Sequence, residues 1–288
     1  MSKPIVVTGA TGVVGSKVVE QLAAAGATVR AAVRDPGKVA LPAGVEAVAL
    51  DMAAPESVAP ALRGANHLFL LTPFVPEMVE MSKTVVDAAR EEGIEHVVRL
   101  SVLGAGPQAS ISLTRWHTEA EQYLGQSGVG FTHLRPNSFM QNYITFCAET
   151  INSQGTIFLP HGTGKMSVID AEDIAAVAVK ALLEPGHMGK AYDLTGPVAL
   201  DNTEMAATLS GVLGRDVHYM DIPDMMVEIG LKGMGTPEVI IGALKELSAA
   251  NRESRLAEVK QDVARLLGRP PRTFEDFARA NAEAWSRT

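Results

Sequence analysis

The chain has 288 residues, 47% hydrophobic and 20% charged, which is enough to bury a full core as one large domain or as a core with an added lobe. Its net charge of −8 argues against nucleic acid or an acidic membrane surface as the main partner, and its single cysteine, Cys147, excludes an internal disulfide. With an expected strand starting a few residues after Met1 and no apolar run of ~18 residues, the expectation is a cytoplasmic protein with neither signal peptide nor membrane span.

Ile5, Val6 and Val7 form a β-branched run that reads as a buried strand ending at Thr8-Gly9. Glycines stand at 9, 12 and 15, and a helix follows with Val14, Val18, Val19 and Leu22 on its apolar face until Gly26 stops it. A glycine turn between strand and helix lets backbone N–H groups at the helix N-terminus meet a pyrophosphate. Gly9, Thr11, Gly12, Val13 and Gly15 are therefore candidate dinucleotide-binding residues. The competing reading is a tight strand–helix turn with no ligand.

Further strands are predicted at 28–33, 45–50, 67–71, 96–101 and 130–134, with helices at 56–62, 77–91 and 114–126 between them. In the third helix Met78, Met81, Val85 and Ala89 fall at spacings that make one face. Strands joined by helical crossovers give an α/β fold, a doubly wound parallel (Rossmann) sheet. Beyond Pro136 the rhythm loosens. Residues 168–169 and 191–194 read as strands joined by a helix at 171–183, and a strand-like 217–222 precedes a mostly helical tail. Thr273 with Asp276 resembles a helix N-cap. The expected organisation is a nucleotide-binding core over 1–155, to which 168–200 returns. A smaller, mostly helical substrate lobe spans 201–288 with a contribution from 138–166, and the site is expected in the cleft between the two.

NAD-preferring folds usually place an acidic residue ~20 residues after the glycines, at the end of strand two. Here that place holds Val33-Arg34-Asp35, with Lys38 close behind. Arg34 and Lys38 suit a 2′-phosphate, which favours NADPH, whereas Asp35 would suit a 2′-hydroxyl and NADH. Lys38 is equally a solvated loop charge. Asp51 and Met52 stand where an adenine edge would lie, although Asp51 also reads as a helix cap.

The spacing Gly9-x-x-Gly-x-x-Gly15 is that of extended and atypical short-chain dehydrogenases. His117-Thr-Glu-Ala-Glu121, the run from Ser127 to Pro136 and Asn137-Ser-Phe-Met-Gln-Asn142 resemble the NmrA-like atypical branch. Within it they are similar to the subgroup of type 2 quinone oxidoreductases, triphenylmethane reductases and azoreductase-like proteins. Asp170–Ala175, Tyr192–Pro197 and Gly268–Phe274 extend the resemblance over essentially the whole chain. It implies an NAD(P)H-dependent oxidoreductase acting as a monomer or homodimer on a small molecule.

One departure from the wider superfamily matters for chemistry. Typical members carry Tyr-x-x-x-Lys on the helix after strand five, but here Tyr123 is followed four residues on by Ser127. His117 and Glu121 stand at the expected place, four apart on one helix face, as a supporting pair or a surface pair. They are too few for a zinc site, and no metal is expected. Without a tyrosine acid, worth ~10²–10⁴ in rate, the site suits flat, conjugated, electron-poor acceptors: quinone, imine or iminium, azo or triarylmethane compounds. Thr72, Pro73 and Phe74 end strand four and Ser101 ends strand five, at the carboxyl edge where ligands bind. Ser101, His117 and Asn137 are candidate catalytic residues, and Thr72, Pro73, Ser101 and Asn137 also candidate cofactor contacts. Phe74, Trp116, Phe139, Met140 and Asn142 are candidate substrate contacts, with Phe139 and Met140 equally plausible as core. Met225, Met226 and Met234 offer an adaptable apolar wall or simple packing. The alternative function is a non-catalytic dinucleotide-binding redox sensor that acts through a protein partner.

Overall fold

The computed structural model describes residues 3–286. Nine strands are present among them: β1 Ile5–Val7, β2 Val29–Val33, β3 Glu46–Ala49, β4 His67–Leu70, β5 His96–Leu100, β6 Gly130–Pro136, β7 Thr156–Leu159, β8 Lys190–Leu194 and β9 His218–Asp221. The α-helices are α1 Val13–Ala24, α2 Val58–Leu62, α3 Met78–Glu91, α4 Ser112–Gln126, α5 Asn142–Thr145, α6 Ala148–Gln154, α7 Ala171–Leu183, α8 Asn202–Leu213, α9 Asp224–Gly233, α10 Glu238–Arg252, α11 Asp262–Leu267 and α12 Phe274–Ala280. The chain divides into two compact units. One comprises the chain up to Ser110, Thr114–Arg135 and Ile174–Asp193; the other comprises Ile111–Leu113, Pro136–Asp173 and the chain from Leu194 onward.

The first unit is built on a seven-stranded sheet in the order β3-β2-β1-β4-β5-β6-β8. The strand pairings from β3 across to β6 are all parallel. Hydrogen bonds from Gly189 N to Phe131 O and from Asn137 N to Leu194 O join starts and ends of β6 and β8, so these two also run the same way. β1 and β5 are buried at every position, as expected when both faces of a parallel sheet are covered. On one face Val97, Leu68 and Leu70 pack with Val85, Val86 and Ala89 of α3 and Leu124 of α4. The strand order reverses between β1 and β4, where doubly wound sheets open a crevice at their carboxyl ends. Thr8 fastens that junction: its N–H donates to Phe69 O at 3.0 Å, its hydroxyl to Leu71 O at 3.0 Å, and it accepts from Leu71 N at 2.8 Å.

The second unit has its own apolar cluster, in which Tyr143, Ile151, Ile157, Met205, Leu209, Phe274, Phe277 and Trp285 meet. A capping box closes α12, with Thr273 accepting from Asp276 N and Asp276 accepting from Thr273 N. Two details differ from the sequence pattern. Residues 168–169 form no strand, only an isolated bridge of Ile169 to Phe139. β9 pairs in parallel with β7, a four-residue strand the sequence reading omitted, in a separate two-stranded sheet. Cys147 is buried as a free thiol, and burial pushes its pKa up to about 12. Among the described residues no helix is long and apolar enough to cross a membrane.

Candidate active site

The glycine turn sits beside the β1–β4 junction. Gly9 has φ +62°, a left-handed conformation, and a Cβ there would lie 2.9 Å from Leu71 Cδ2. At Gly15 a Cβ would fall 2.0 Å from Gly9 O, so this glycine is required for α1 to pass the turn at all. Gly12 differs. It is the N-cap of α1 in extended conformation, no side chain caps the helix, and Thr11, Gly12 and Val13 are exposed. The first-turn N–H groups of α1 therefore lack a side-chain acceptor. A Cβ at Gly12 would have a single neighbour within 4 Å, Gly9 O at 3.2 Å, so the turn itself leaves room for one. An uncapped, glycine-lined helix start fits an anionic pyrophosphate.

At the end of β2, Arg34 is exposed and makes no hydrogen bond or ion pair to another described residue. Asp35 is engaged locally: it accepts from Gly37 N at 3.1 Å and pairs with Lys38 at 2.8 Å. That pairing leaves Arg34 as the guanidinium at this edge available to a phosphate. Asp51 is exposed and accepts from Ala53 N at 2.9 Å, capping its own turn, while Met52 packs on the apolar cluster.

Beside β4 and β5 the polar groups take partners that sequence spacing did not show. Ser101 is buried and donates to Glu121 at 2.5 Å. Arg135 of β6 donates to both oxygens of Glu121, at 2.9 and 2.5 Å. Burial alone would raise the Glu121 pKa, but Arg135, His133 and Ser101 together outweigh it and hold the carboxyl below its ordinary value. His117 does not pair with Glu121. Its Nδ1 accepts from Nη1 of Arg99 at 3.2 Å, and burial together with that cation holds its pKa well below the usual value. Tyr123 points its hydroxyl at Asp87 of α3, 2.8 and 2.9 Å away. Phe74, after β4, lies against Trp116 of α4 with ring centroids 6.1 Å apart. The first unit thus brings Phe74, Ser101, Trp116, His117 and Glu121 to the carboxyl edge of β4 and β5, next to the strand that carries the glycine turn.

Thr72 and Pro73 follow β4 in the first unit, and the candidates from Asn137 onward belong to the second. Asn137 is buried and donates to Ser167 Oγ and Leu256 O, each at 2.8 Å. Asn142 donates to Ser138 Oγ at 3.1 Å, and Phe139 is half-buried on its bridge to Ile169. Met140 is 1% exposed within the apolar cluster, which makes it core, as its hydrophobicity equally allowed. Met225, Met226 and Met234 are not packing residues: they are 64%, 55% and 79% exposed, on α9 and at its C-terminus. Arg99 and Arg135 were missed by the sequence reading. A lone arginine inside the apolar run His96-Val-Val-Arg-Leu100 was the available signal.

Residues 1–278 match the model of the NmrA-like family. The chain belongs to this family. Its NmrA-like relatives include the NAD(P)H azoreductase of Xenophilus azovorans, 41% identical over 283 residues that cover 98% of this chain and 99% of the relative. The NADPH complex of an Escherichia coli NADPH-dependent quinone oxidoreductase superposes with TM-score 0.84 at 28% identity, over 96% of this chain and 99% of that one. Citrobacter sp. triphenylmethane reductase complexed with NADP(H) superposes with TM-score 0.82 at 25% identity, over 97% and 100% of the two chains. These NmrA-like relatives are nicotinamide-dependent oxidoreductases.

Proposed function

We propose that this NmrA-like protein is an NAD(P)H-dependent oxidoreductase that reduces a flat, conjugated, electron-poor acceptor of the quinone, iminium, azo or triarylmethane class. The observation that carries this reading is the fate of its hydroxyls. Tyr123 donates to Asp87 and Ser101 donates to Glu121, so neither hydroxyl is free to protonate a carbonyl oxygen. Reducing an isolated ketone yields a strongly basic alkoxide, for which a positioned acid contributes ~10²–10⁴ in rate. A quinone yields a weakly basic phenolate, and a triarylmethane cation yields a neutral product. Quinone, iminium and triarylmethane reductions, which need no strong acid, are the chemistry these residues suit; an azo acceptor, whose reduced nitrogen is strongly basic, rests on the similarity to the azoreductase.

NADPH, when bound, supplies the hydride. The Gly9–Gly15 turn would hold its pyrophosphate on the α1 amides, and Arg34 would take the 2′-phosphate. The tilted rings of Phe74 and Trp116 offer an aromatic wall for a flat acceptor. Similarity to the azoreductase across nearly the full length of both chains supports the enzyme reading over a purely regulatory one.

The test is NADPH oxidation against a panel of quinones, imines, azo dyes and cationic triarylmethane dyes. Turnover of at least one class, retained by Tyr123→Phe, supports the proposal. Tight NADPH binding with no turnover of any acceptor would return the chain to the dinucleotide-sensor reading. Rapid reduction of unactivated ketones, lost in Tyr123→Phe, would overturn the argument from the hydroxyls.

A further inference from the structure

Arg99 is an odd residue to find where it is. It lies on β5 with no exposed surface, its Nε is 3.5 Å from Ser82 Oγ, and Nη2 has no hydrogen-bond partner. A buried guanidinium without a carboxylate hydrogen-bonded to it is costly, and an apolar side chain of similar size would serve the core better. Burial lowers its pKa to about 10, which leaves it charged at neutral pH. Its one well-formed hydrogen bond goes to His117 Nδ1.

That bond has a definite consequence. Arginine has five N–H donors and no acceptor, so His117 Nδ1 accepts, and an imidazole that accepts there carries its proton on Nε2. Nε2 makes no hydrogen bond to a described residue and is not sealed from solvent. The ring therefore offers one outward N–H, one residue along from Trp116. The surrounding groups reinforce this state. Glu121 of α4 is held by Arg135 and Ser101, and His133 of β6 is itself kept neutral, with burial the main cause lowering its pKa to about 4. Ser82 of α3 is uncharged. Among the described residues no carboxylate is hydrogen-bonded to His117 to favour an imidazolium.

We infer that Arg99 is a positioning residue that locks His117 as the neutral Nε2–H imidazole, and that with a quinone acceptor this N–H donates to the oxygen on which negative charge develops. The second half rests on the reductase reading; the tautomer lock is a property of the chain alone. When hydride from the nicotinamide adds to a quinone, the displaced π electron pair is delocalised onto the quinone oxygen. His117 stabilises that atom without giving up its proton, and the reduced product takes its proton from water. Ser101 cannot do this while its hydrogen is committed to Glu121.

The lock is tested first in the unmodified protein, by long-range ¹H–¹⁵N correlation of the imidazoles, with His117 assigned through His117→Gln. The expected pattern is a neutral Nε2–H ring unchanged from pH about 5.5 to about 8.5. An Nδ1–H ring, or a ring that titrates in that window, overturns the lock. With a quinone acceptor, His117→Phe should lower kcat by ~10²-fold, near the loss seen for a single oxyanion donor, with KM for NADPH unchanged. His117→Gln, whose amide N–H reaches toward the same place, should recover a substantial part. Arg99→Met, which frees the ring to take either tautomer, should lower kcat with KM for NADPH unchanged, and Arg99→Gln, whose amide can donate to Nδ1, should partly restore it. A folded Arg99→Met enzyme with unchanged kcat overturns the positioning role. Failure to turn over any acceptor would sink the reductase reading and the donor role with it, while the correlation spectrum still decides the lock.

Discussion

Two glycines of the same turn should fail in different ways, and their contrast tests the cofactor assignment. At Gly15 an added Cβ lies 2.0 Å from Gly9 O, so backbone must move by more than an ångström to reach ordinary contact. Gly15→Ala should therefore cost at least the ~1–3 kcal/mol typical of overpacking and lower the melting temperature without ligand. At Gly12 the Cβ meets only Gly9 O, at 3.2 Å, and a few tenths of an ångström relieve it. Gly12→Val should fold with a nearly unchanged melting temperature, its methyls standing in the space over the α1 N-terminus. The assay is thermal unfolding with and without NADPH. At a hundredfold excess over Kd, binding stabilises the native protein by ~2.7 kcal/mol, which at ~2–4 °C per kcal/mol is a rise of ~5–10 °C. The unsubstituted protein should show that rise and Gly12→Val should lose it. A folded Gly12→Val protein that keeps the full NADPH-induced rise would refute the assignment of this turn to the dinucleotide.

Arg34→Ala should weaken NADPH by about ten-fold or more, the worth of a charge-assisted pair of ~1.5–3 kcal/mol, and leave NADH nearly unchanged. Equal losses in titrations of the two cofactors would mean that Arg34 does not read the 2′-phosphate. Asn137→Ala removes the donors to Ser167 Oγ and Leu256 O inside the second unit. It should destabilise that unit by roughly 1–3 kcal/mol, two lost hydrogen bonds at ~0.5–1.5 kcal/mol each, with Leu256 O still accepting from Ser167 N, read as a shift in denaturant midpoint. His96, His133 and His161 each have a pKa lowered to about 4, mainly by burial. The unfolded chain takes up these protons first, so stability is complete above pH ~6.5 and is lost as pH falls toward about 4. Denaturant unfolding at neutral and mildly acidic pH measures this, and equal stability at both would contradict it.

The sequence by itself determined the parts of this protein that depend on neighbours along the chain. The run Ile5–Val7, the three glycines and the period of Val14, Val18 and Leu22 dictate a strand, a turn and a helix, because each is settled within a few residues. Repetition of that unit carried the doubly wound sheet, since right-handed crossovers leave few alternatives. Partnership across the fold was a different matter. His117 and Glu121 are four apart on α4 and read as a pair, yet the ring turns to Arg99 on β5 and the carboxylate to Ser101 and Arg135. β7 was missed because four residues carry little periodicity, and its partner β9 lies 62 positions further on in register. Asn137 stands in a motif, but its hydrogen bonds go to Ser167 and Leu256, 30 and 119 residues away. Burial decides these cases. A polar group removed from water must take whichever partner the packed elements bring within reach, and that choice is made in three dimensions.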